Sequence, residues 1–444
     1  MLYFSGNQIR ILEAGVPVPD ESESDGSPSR KSGWLDLSRV RIAINYQDEW
    51  SQMFREAWRL QKEFFWNEQL SGVDWNAVYR RYENLLSRIG SRSELSDLIW
   101  EMHGELGTSH AYEYGGDYPF SPQYPVGQLG ADLEYEPSRK AWVFRKIYRG
   151  DIWRVHQHSP LAEPGQQVQE NDLLLEIGGV PLDGSTSPGE LLVHQAGQAV
   201  QLTVKTPGKK ESKRKIIVKT LIHEGKTRYR EWAKQNLKFV EAQSEGRVGY
   251  LHIPDMDTEG IAEFHRGFLS QVDREGLIID ARFNAGGWVS PLVLEKLTHR
   301  HLGYDVPRWG SPESYPYHTL RGHLVLITNQ FTGSDGDMFT ASFKQLKLGK
   351  VIGKRTWGGV VGIDGRYQLV DGTTTTQPQY SIWFHHAGWS VENYGVDPDL
   401  VVEDPPQSYS NGMDHQLKQA VEVIQKILEE DPLPKIQDFK SNSR

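Results

Sequence analysis

One stretch decides how the chain folds, and it reads His323-Leu-Val-Leu-Ile-Thr-Asn-Gln-Phe-Thr-Gly-Ser-Asp-Gly-Asp337. Leu324 to Thr328 is a short apolar run with β-branched residues, which predicts a buried strand. The next stretch, residues 337–347, predicts a helix with five residues on one face, namely Met338, Phe339, Ser342, Phe343 and Leu346. Ser334 therefore lies at a strand-to-helix turn, beside the first free N–H groups of the helix.

Ser334 has two interpretations at this turn. It can be a nucleophile, because its exposed hydroxyl lies near helix N–H groups that stabilise an oxyanion. Alternatively, Ser334 or Asp335 is an ordinary helix cap without a chemical role. Other parts of the sequence have to distinguish the two.

The composition narrows the class of protein. A length of 444 residues predicts two to four domains, and a net charge of −10 argues against nucleic acid as the main partner. The absence of cysteine excludes disulfides, thiolate metal sites and a cysteine nucleophile, and it is compatible with a cytoplasmic location. We expect no signal peptide and no membrane span. The basic run at 209–219 is interpreted as a solvated turn and its flank.

The first part of the chain predicts a hairpin, a linker and a helical subdomain. Residues 1–14 give two short strands and are interpreted as a possible remnant of an upstream β-domain, and the polar residues 15–33 are typical of a linker. Residues 34–124 show helical apolar spacing, with a capping box at Ser91 and Glu94 before the third helix. That helix ends at Gly107, which places His110 on a loop. A lone histidine there is more often structural than catalytic.

Residues 125–220 change to strand patterns. Ser159-Pro-Leu-Ala162 precedes Asn171-Asp-Leu-Leu-Leu-Glu-Ile-Gly-Gly-Val-Pro181, and these two segments resemble the core of a PDZ domain. The resemblance implies a β-domain that binds an extended peptide at a sheet edge. A plain β-sandwich without a peptide site is the alternative.

Residues 221–432 alternate strands and helices, and residues 433–444 are expected to form a loose tail. The alternation predicts an α/β domain with a parallel or mixed sheet, so the whole chain is a multidomain α+β and α/β protein. Additional strands are expected at 365–370 and 381–384. Asn284 to Gly287 and Thr332 to Asp335 both follow buried strands, at the edge where such folds place active sites.

The glycines at 286 and 287 suggest a second part of an active site. A glycine turn lets backbone approach a substrate closely, so an N–H from this turn and the N–H of Asp335 could form an oxyanion hole. A tight turn without such a role is the alternative. The sequence does not decide whether Gly286 or Gly287 is the donor.

Residues 247–400 resemble the tail-specific, carboxyl-terminal-processing serine peptidases. Those enzymes carry a lysine base about 25 positions after the serine, in a turn similar to Thr356-Trp-Gly-Gly359. This sequence has Gly359 at the position of that lysine, so the Ser-Lys dyad is absent.

The branch of this clan without the lysine is the tricorn protease family, which the chain resembles over about residues 34–430. The resemblance is carried by Gly107-Thr-Ser-His110, Gly333-Ser-Asp-Gly-Asp337 and Glu392-Asn-Tyr-Gly-Val-Asp-Pro398. It implies a ClpP/crotonase-like α/β catalytic domain with a mixed sheet.

The resemblance also implies roles for individual residues. Ser334 would attack the scissile carbonyl and His110 would accept its proton, while Ser109 would orient His110 and Glu392 would hydrogen-bond Ser109. The N–H groups of Gly287 and Asp335 would bind the oxyanion. Asp305 matches a position that lines the pocket for the residue before the cut, where an acidic group favours basic side chains. An exposed loop aspartate is the alternative for Asp305.

The family resemblance extends to partners and assembly. It implies short peptide substrates such as proteasome products, no cofactor and no metal, and a hexamer whose active sites are built partly across subunits. Tricorn proteases carry two β-propellers ahead of this region, and only residues 1–14 could be their remnant here.

Two other functions compete with the peptidase. The first is a catalytically silent scaffold that binds peptides through the PDZ-like domain. The second is a metal hydrolase, which the 15 histidines permit but the sequence does not favour. His385 and His386 point to opposite faces of a strand, and no His-Glu-x-x-His motif is present.

Overall fold

The computed structural model describes residues 1–6, 8–15, 17, 27–119, 121–151, 154, 157–208 and 213–437. Much of the predicted linker at 15–33, part of the basic run at 209–219 and the end of the predicted tail lie outside the described residues. None of the helices in the described ranges is long and apolar enough to cross a membrane.

The N-terminal hairpin is held by the segment that follows it. Strands β1 (Leu2–Ser5) and β2 (Gln8–Ile11) pair antiparallel. The buried Arg10 donates from Nε to the carbonyl of Ser32 at 2.7 Å, and its guanidinium lies over the ring of Trp34. The hairpin thus packs on residues 27–35, and its origin as part of a larger β-domain stays a prediction.

Three helices form the predicted helical subdomain, namely α1 (Tyr46–Phe64), α2 (Trp75–Glu83) and α3 (Arg92–Gly104). The predicted capping box is present, because the Ser91 hydroxyl accepts from the N–H of Glu94 while the Glu94 carboxylate accepts from the N–H of Ser91. The fully buried Phe54, Leu95 and Met102 lie in the shared core. A two-stranded pair follows, in which β3 (Glu113–Tyr114) pairs with residues 374–375 of the α/β domain described below.

The described part of the inserted β-domain contains six strands and one short α-helix. They are β4 (Ala131–Glu136), β5 (Ala141–Ile147), β6 (Leu173–Ile177), β7 (Val180–Pro181), α4 (Pro188–Leu191), β8 (Ala199–Lys205) and β9 (Lys213–Lys219). The sheet order is β4-β5-β6-β8-β9, with β7 paired to β6, and all pairings are antiparallel.

The remaining residues form an α/β domain whose helices and strands follow in chain order. They are α5 (Gly225–Gln243), β10 (Val248–His252), α6 (Thr258–Gln271), β11 (Gly276–Asp280), α7 (Ser290–Thr298), β12 (Gly303–Asp305), β13 (Glu313–Tyr315), β14 (His323–Thr328), α8 (Asp335–Gln345), β15 (Gly349–Gly353), β16 (Gly362–Asp364), β17 (Thr374–Thr375), β18 (Gln377–Tyr380), β19 (Leu400–Val401), α9 (Pro406–Ser410) and α10 (His415–Glu430).

The central sheet has the order β10-β11-β14-β15-β19 and separates two apolar cores. Side chains on β11 alternate between them, since Leu277 and Ile279 pack with α6 and α8, whereas Ile278 packs with α10. This three-layer arrangement confirms the predicted α/β fold and places the ends of β11 and β14 side by side.

Two details of the predicted α/β domain are corrected. All four pairings of the central sheet are parallel, so the sheet is not mixed. Helices α6, α7 and α8 lie on the connections between successive strands, which is the route that parallel pairing requires. The strands expected at 365–370 and 381–384 instead form earlier, as β16 and β18.

A buried ionic cluster joins the helical subdomain to the α/β domain. Arg92 on α3 contacts the carboxylates of Glu113 at 2.8 Å and Asp371 at 2.7 Å, and its side chain is 7% exposed. Its guanidinium also donates to the Thr373 hydroxyl. Residues 371–377 are therefore fixed against the loop that leads from α3 to β3.

We expect Arg92→Ala to lower the free energy of unfolding by about 3–5 kcal/mol, because two buried carboxylates would lose their cation. Urea unfolding followed by tryptophan fluorescence would measure it. Arg81→Ala is the control, since Arg81 pairs with Glu105 at the surface and its loss should leave the unfolding midpoint nearly unchanged. Equal effects of the two variants would contradict this account of the cluster.

Candidate active site

The backbone of Ser334 is strained in a way that exposes its side chain. Ser334 has φ 56° and ψ −121°, and its hydroxyl makes no capping hydrogen bond to α8. The turn is fixed by its neighbours, because the N–H of Gly333 donates to the carbonyl of Asn284 at 2.9 Å. An L-residue in this conformation costs on the order of 1–3 kcal/mol. The simple helix-cap interpretation therefore does not fit Ser334.

The two aspartates beside Ser334 also do not cap the helix. The Asp335 carboxylate accepts from the N–H and the hydroxyl of Ser290, at 2.9 and 2.5 Å. The Asp337 carboxylate accepts from the N–H groups of Gly358 and Gly359, at 2.9 and 3.2 Å. Burial raises the pKa of both carboxyl groups, and these hydrogen bonds oppose the shift. Both side chains tie the start of α8 to neighbouring loops.

The glycine turn after β11 lies against Ser334. A Cβ built on Gly286 would be 2.4 Å from the Cβ of Ser334 and 3.0 Å from the nitrogen of Asp335, so only glycine fits there. The N–H of Gly286 donates to the side-chain oxygen of Asn284 at 2.9 Å. Among the described residues, the N–H groups of Gly287 and Asp335 have no acceptor. These two donors are thus available beside the Ser334 side chain.

The residues predicted around the base form a continuous chain of hydrogen bonds. The Ser109 hydroxyl lies 2.7 Å from Nδ1 of His110 and 3.2 Å from Oε2 of Glu392. Because a carboxylate only accepts, the hydroxyl donates to Glu392 and accepts from Nδ1–H of His110. This arrangement leaves Nε2 of His110 unprotonated, which is the form a general base needs.

The Glu392 carboxylate is held from both sides of the site. It accepts from the N–H of Ser109 at 2.7 Å and from the Thr108 hydroxyl at 3.2 Å. It also accepts from the N–H groups of Val360 and Val361, at 2.7 and 3.1 Å. Glu392 therefore connects the loop carrying His110 to the wall formed by residues 360–361.

The His110 ring is buried between aromatic side chains. Its residue is 9% exposed, with the rings of Trp357 and Tyr112 at 5.3 and 5.5 Å between centroids. Burial lowers the pKa of His110, and the negative charge of Glu392 opposes this shift. The imidazole is therefore ready to accept a proton near neutral pH.

Ser334 and His110 line the same cavity of about 850 Å³. Within the part of the chain that the structure describes, they make no direct hydrogen bond, as is common in sites without a substrate. Gly287 and Asp335 also line this cavity. Many of its other lining side chains are apolar, among them Trp288, Pro291, Phe331, Met338, Trp357, Val360, Val361, Ile363 and Ile382.

Asp305 is not part of this cavity. It lies exposed at the end of β12, where its negative charge raises the pKa of Tyr317. The acidic residues that line the cavity include Asp257, the N-cap of α6, and Asp335. A role for Asp305 in substrate binding stays a prediction.

Sequence reasoning missed two supporting residues. Asn284 fixes the glycine turn through its buried side chain, which also donates to the carbonyl of Ile253. The ring of Trp357 packs against His110, although the sequence showed only that Gly359, two residues further on, replaces a lysine. The position of Asn284 two residues before the glycine pair was the available signal for the first, and the sequence gave no signal for Trp357.

Three family models match consecutive parts of the chain. The Tricorn protease C1 domain matches residues 46–104, the Tricorn protease PDZ domain matches residues 127–223, and Peptidase family S41 matches residues 247–402. His110 lies between the first two matches, and Ser334 lies within the third.

Individual relatives cover almost all of this chain. A tricorn protease homolog of Saccharolobus solfataricus is 46% identical over 424 residues, 95% of this chain and 38% of the relative. Tricorn protease of Thermoplasma acidophilum is 40% identical over 391 residues, 88% of this chain and 36% of the relative. A crystal structure of the tricorn protease matches with a TM-score of 0.85 and 38% identity, over 89% of this chain and 38% of that chain. The chain thus spans well under half the length of these proteins.

We expect Gly286→Ala to slow the reaction of Ser334 with an organophosphorus serine reagent about 10- to 100-fold. The new Cβ would displace Ser334 or the N–H of Asp335, and Gly286 has φ +84°, which disfavours alanine. Mass spectrometry of the labelled protein measures the rate. Gly104→Ala, at an open helical position, is the control and should label normally. Normal labelling of Gly286→Ala would contradict the packing described for this turn.

Proposed function

This chain belongs to the tricorn protease family, and we propose that it is a serine peptidase that cleaves short peptides through Ser334. The observation that carries the proposal is the shared cavity of Ser334 and His110, with the hydrogen-bonded chain from His110 to Ser109 and Glu392 behind it. A serine that only capped a helix would not need this series of hydrogen bonds.

The proposed reaction begins with attack of the Ser334 oxygen on the scissile carbonyl carbon, while Nε2 of His110 takes the hydroxyl proton. The carbonyl oxygen becomes an oxyanion, which accepts hydrogen bonds from the N–H groups of Gly287 and Asp335. Collapse of this intermediate breaks the C–N bond, and His110 gives its proton to the leaving amine. Water then hydrolyses the acyl-enzyme by the same route.

Gly287 is the proposed donor of the glycine pair because its N–H is free, whereas the N–H of Gly286 is bonded to Asn284. The other donor, Asp335, is the first residue of α8, so the positive end of the helix dipole adds to the stabilisation. Donors fixed in this way before the reaction give oxyanion stabilisation without reorganisation.

Ser109 and Glu392 are proposed to complete a Ser-His-Ser-Glu tetrad. Ser109 keeps His110 in the tautomer with Nδ1 protonated, and Glu392 polarises the Ser109 hydroxyl. When His110 becomes positively charged, the carboxylate of Glu392 lies one hydroxyl away and stabilises that charge.

The proposed substrates are short peptides such as proteasome products. The apolar lining of the cavity favours apolar side chains next to the cut. Asp305 could add a preference for basic side chains only after its hairpin moves or another subunit brings it near Ser334. The hexamer implied by the family and a cytoplasmic location remain parts of this proposal.

We expect Ser334→Ala to lower the kcat of peptide cleavage by about 10⁴-fold or more. Cleavage of fluorogenic peptides would be measured alongside binding of the same peptides to the variant. Ser342→Ala on the same helix is the control and should keep full activity. If the wild type binds peptides through residues 127–223 but cleaves none, the peptide-binding scaffold replaces the peptidase.

We expect the acid limb of the kcat/KM profile to lie below pH 6.5, the ordinary pKa of histidine, because burial lowers the pKa of His110. His110 must be neutral to act, so activity is lost as the pH falls through its pKa. Glu392→Gln removes the charge that raises this pKa, so the limb should move to lower pH while kcat falls about 10- to 100-fold. The exposed Glu422→Gln is the control. A limb that moves upward in Glu392→Gln would contradict the assignment.

A further inference from the structure

Residues 371–377, Asp-Gly-Thr-Thr-Thr-Thr-Gln, form a segment of the catalytic domain that lies against the loop of the base. We call it the threonine segment. Its four threonines are at most 8% exposed. Thr374 and Thr375 pair with Tyr114 and Glu113, four and three residues after His110.

The side chain of Thr376 makes hydrogen bonds to the backbone on both sides of Ala111, the residue that follows His110. Its hydroxyl donates to the carbonyl of His110 at 2.5 Å and accepts from the N–H of Tyr112 at 2.8 Å. Its own N–H donates to the carbonyl of Tyr112 at 3.0 Å. One side chain thus uses both its donor and its acceptor capacity on the base loop.

These bonds act where the loop is strained. His110 has φ 64°, a conformation that an L-residue keeps only when its surroundings impose it. Thr376 is fixed in turn, because Nε2 of the fully buried Gln61 donates to its carbonyl at 2.8 Å. The hydroxyl of Thr376 is therefore a rigid point to which the backbone of His110 is tied.

The base and the nucleophile come from different parts of the chain, so their separation depends on contacts between those parts. Glu392 fixes the ring side of His110 through Ser109, and Thr376 fixes the backbone side. We infer that Thr376 is a positioning residue that holds His110 in the geometry required to accept the proton of Ser334. This inference rests on the proposed peptidase function.

The threonine segment also leads directly into the cavity. Tyr380, Ser381 and Ile382 follow it and line the cavity that contains Ser334. A bound substrate would therefore contact the same stretch of chain that holds the base. Loss of the Thr376 hydroxyl should affect the proton-transfer step, and hence kcat, more than the substrate contacts that determine KM.

The test compares Thr376→Val, Thr376→Ser and Thr374→Val. Valine keeps the shape of threonine and removes the hydroxyl, and serine keeps the hydroxyl. Thr374→Val is the matched control, because its side chain makes no hydrogen bond among the described residues while its backbone pairs in the same segment. Cleavage of a fluorogenic peptide from pH 4.5 to 8.5 gives kcat, KM and the acid limb.

We expect Thr376→Val to lower kcat about 10- to 100-fold with KM changed less than about 3-fold, as a misplaced base does. Its acid limb should move upward, since a ring released from burial regains a more ordinary pKa. Glu392 and Tyr112 are the ionisable groups that face the ring, and both are unchanged. Thr376→Ser and Thr374→Val should retain wild-type kcat and acid limb.

Equal kcat and an equal acid limb in Thr376→Val and Thr374→Val would overturn the inference, even if Thr376→Val has a lower melting temperature. If Thr376→Val does not fold, Thr376→Ala and Thr374→Ala, measured below both melting temperatures, make the same comparison. A wild-type protein that cleaves no peptide and does not label at Ser334 would instead overturn the proposed function.

Discussion

The carboxylate of Glu392 is the interaction on which the arrangement of the site depends. It accepts hydrogen bonds from the loop that carries His110 and from the backbone of Val360 and Val361. Hydrogen bonds to a charged acceptor are about twice as strong as neutral ones. One partly buried carboxylate therefore connects the helical subdomain to the α/β domain. It also fixes the tautomer of His110.

Both residues that would react have a strained backbone. His110 and Ser334 both have left-handed backbone conformations, which cost on the order of 1–3 kcal/mol each. Asp337 and Thr376 hold the neighbouring backbone through buried hydrogen bonds. The strain is tolerated because the three-layer α/β core and the helical core lie directly behind these turns. The geometry of the site thus depends on the stability of both domains.

Much of the fold could be predicted from local patterns. The alternation of buried strands and helices predicted the α/β domain, and Ser91 with Glu94 predicted the start of α3, because these signals depend on neighbours in sequence. The strand-to-helix turn at Ser334 was predicted for the same reason. The family resemblance supplied the roles of His110 and Glu392, which no periodicity indicates.

The sequence by itself determined which segments end at the carboxyl edge of the sheet and which of them carry serine, histidine and glycine. Only the tertiary structure decided that the sheet is parallel throughout, that Asn284 occupies the N–H of Gly286 and leaves that of Gly287 free, and that Asp305 lies outside the cavity. The role of Thr376 was also decided only by the tertiary structure, because its hydroxyl bonds to the carbonyl of His110, 266 positions away. Hydrogen-bond partners of this kind are set by contacts between distant segments, whereas sequence periodicity reports only which side of a helix or strand is buried.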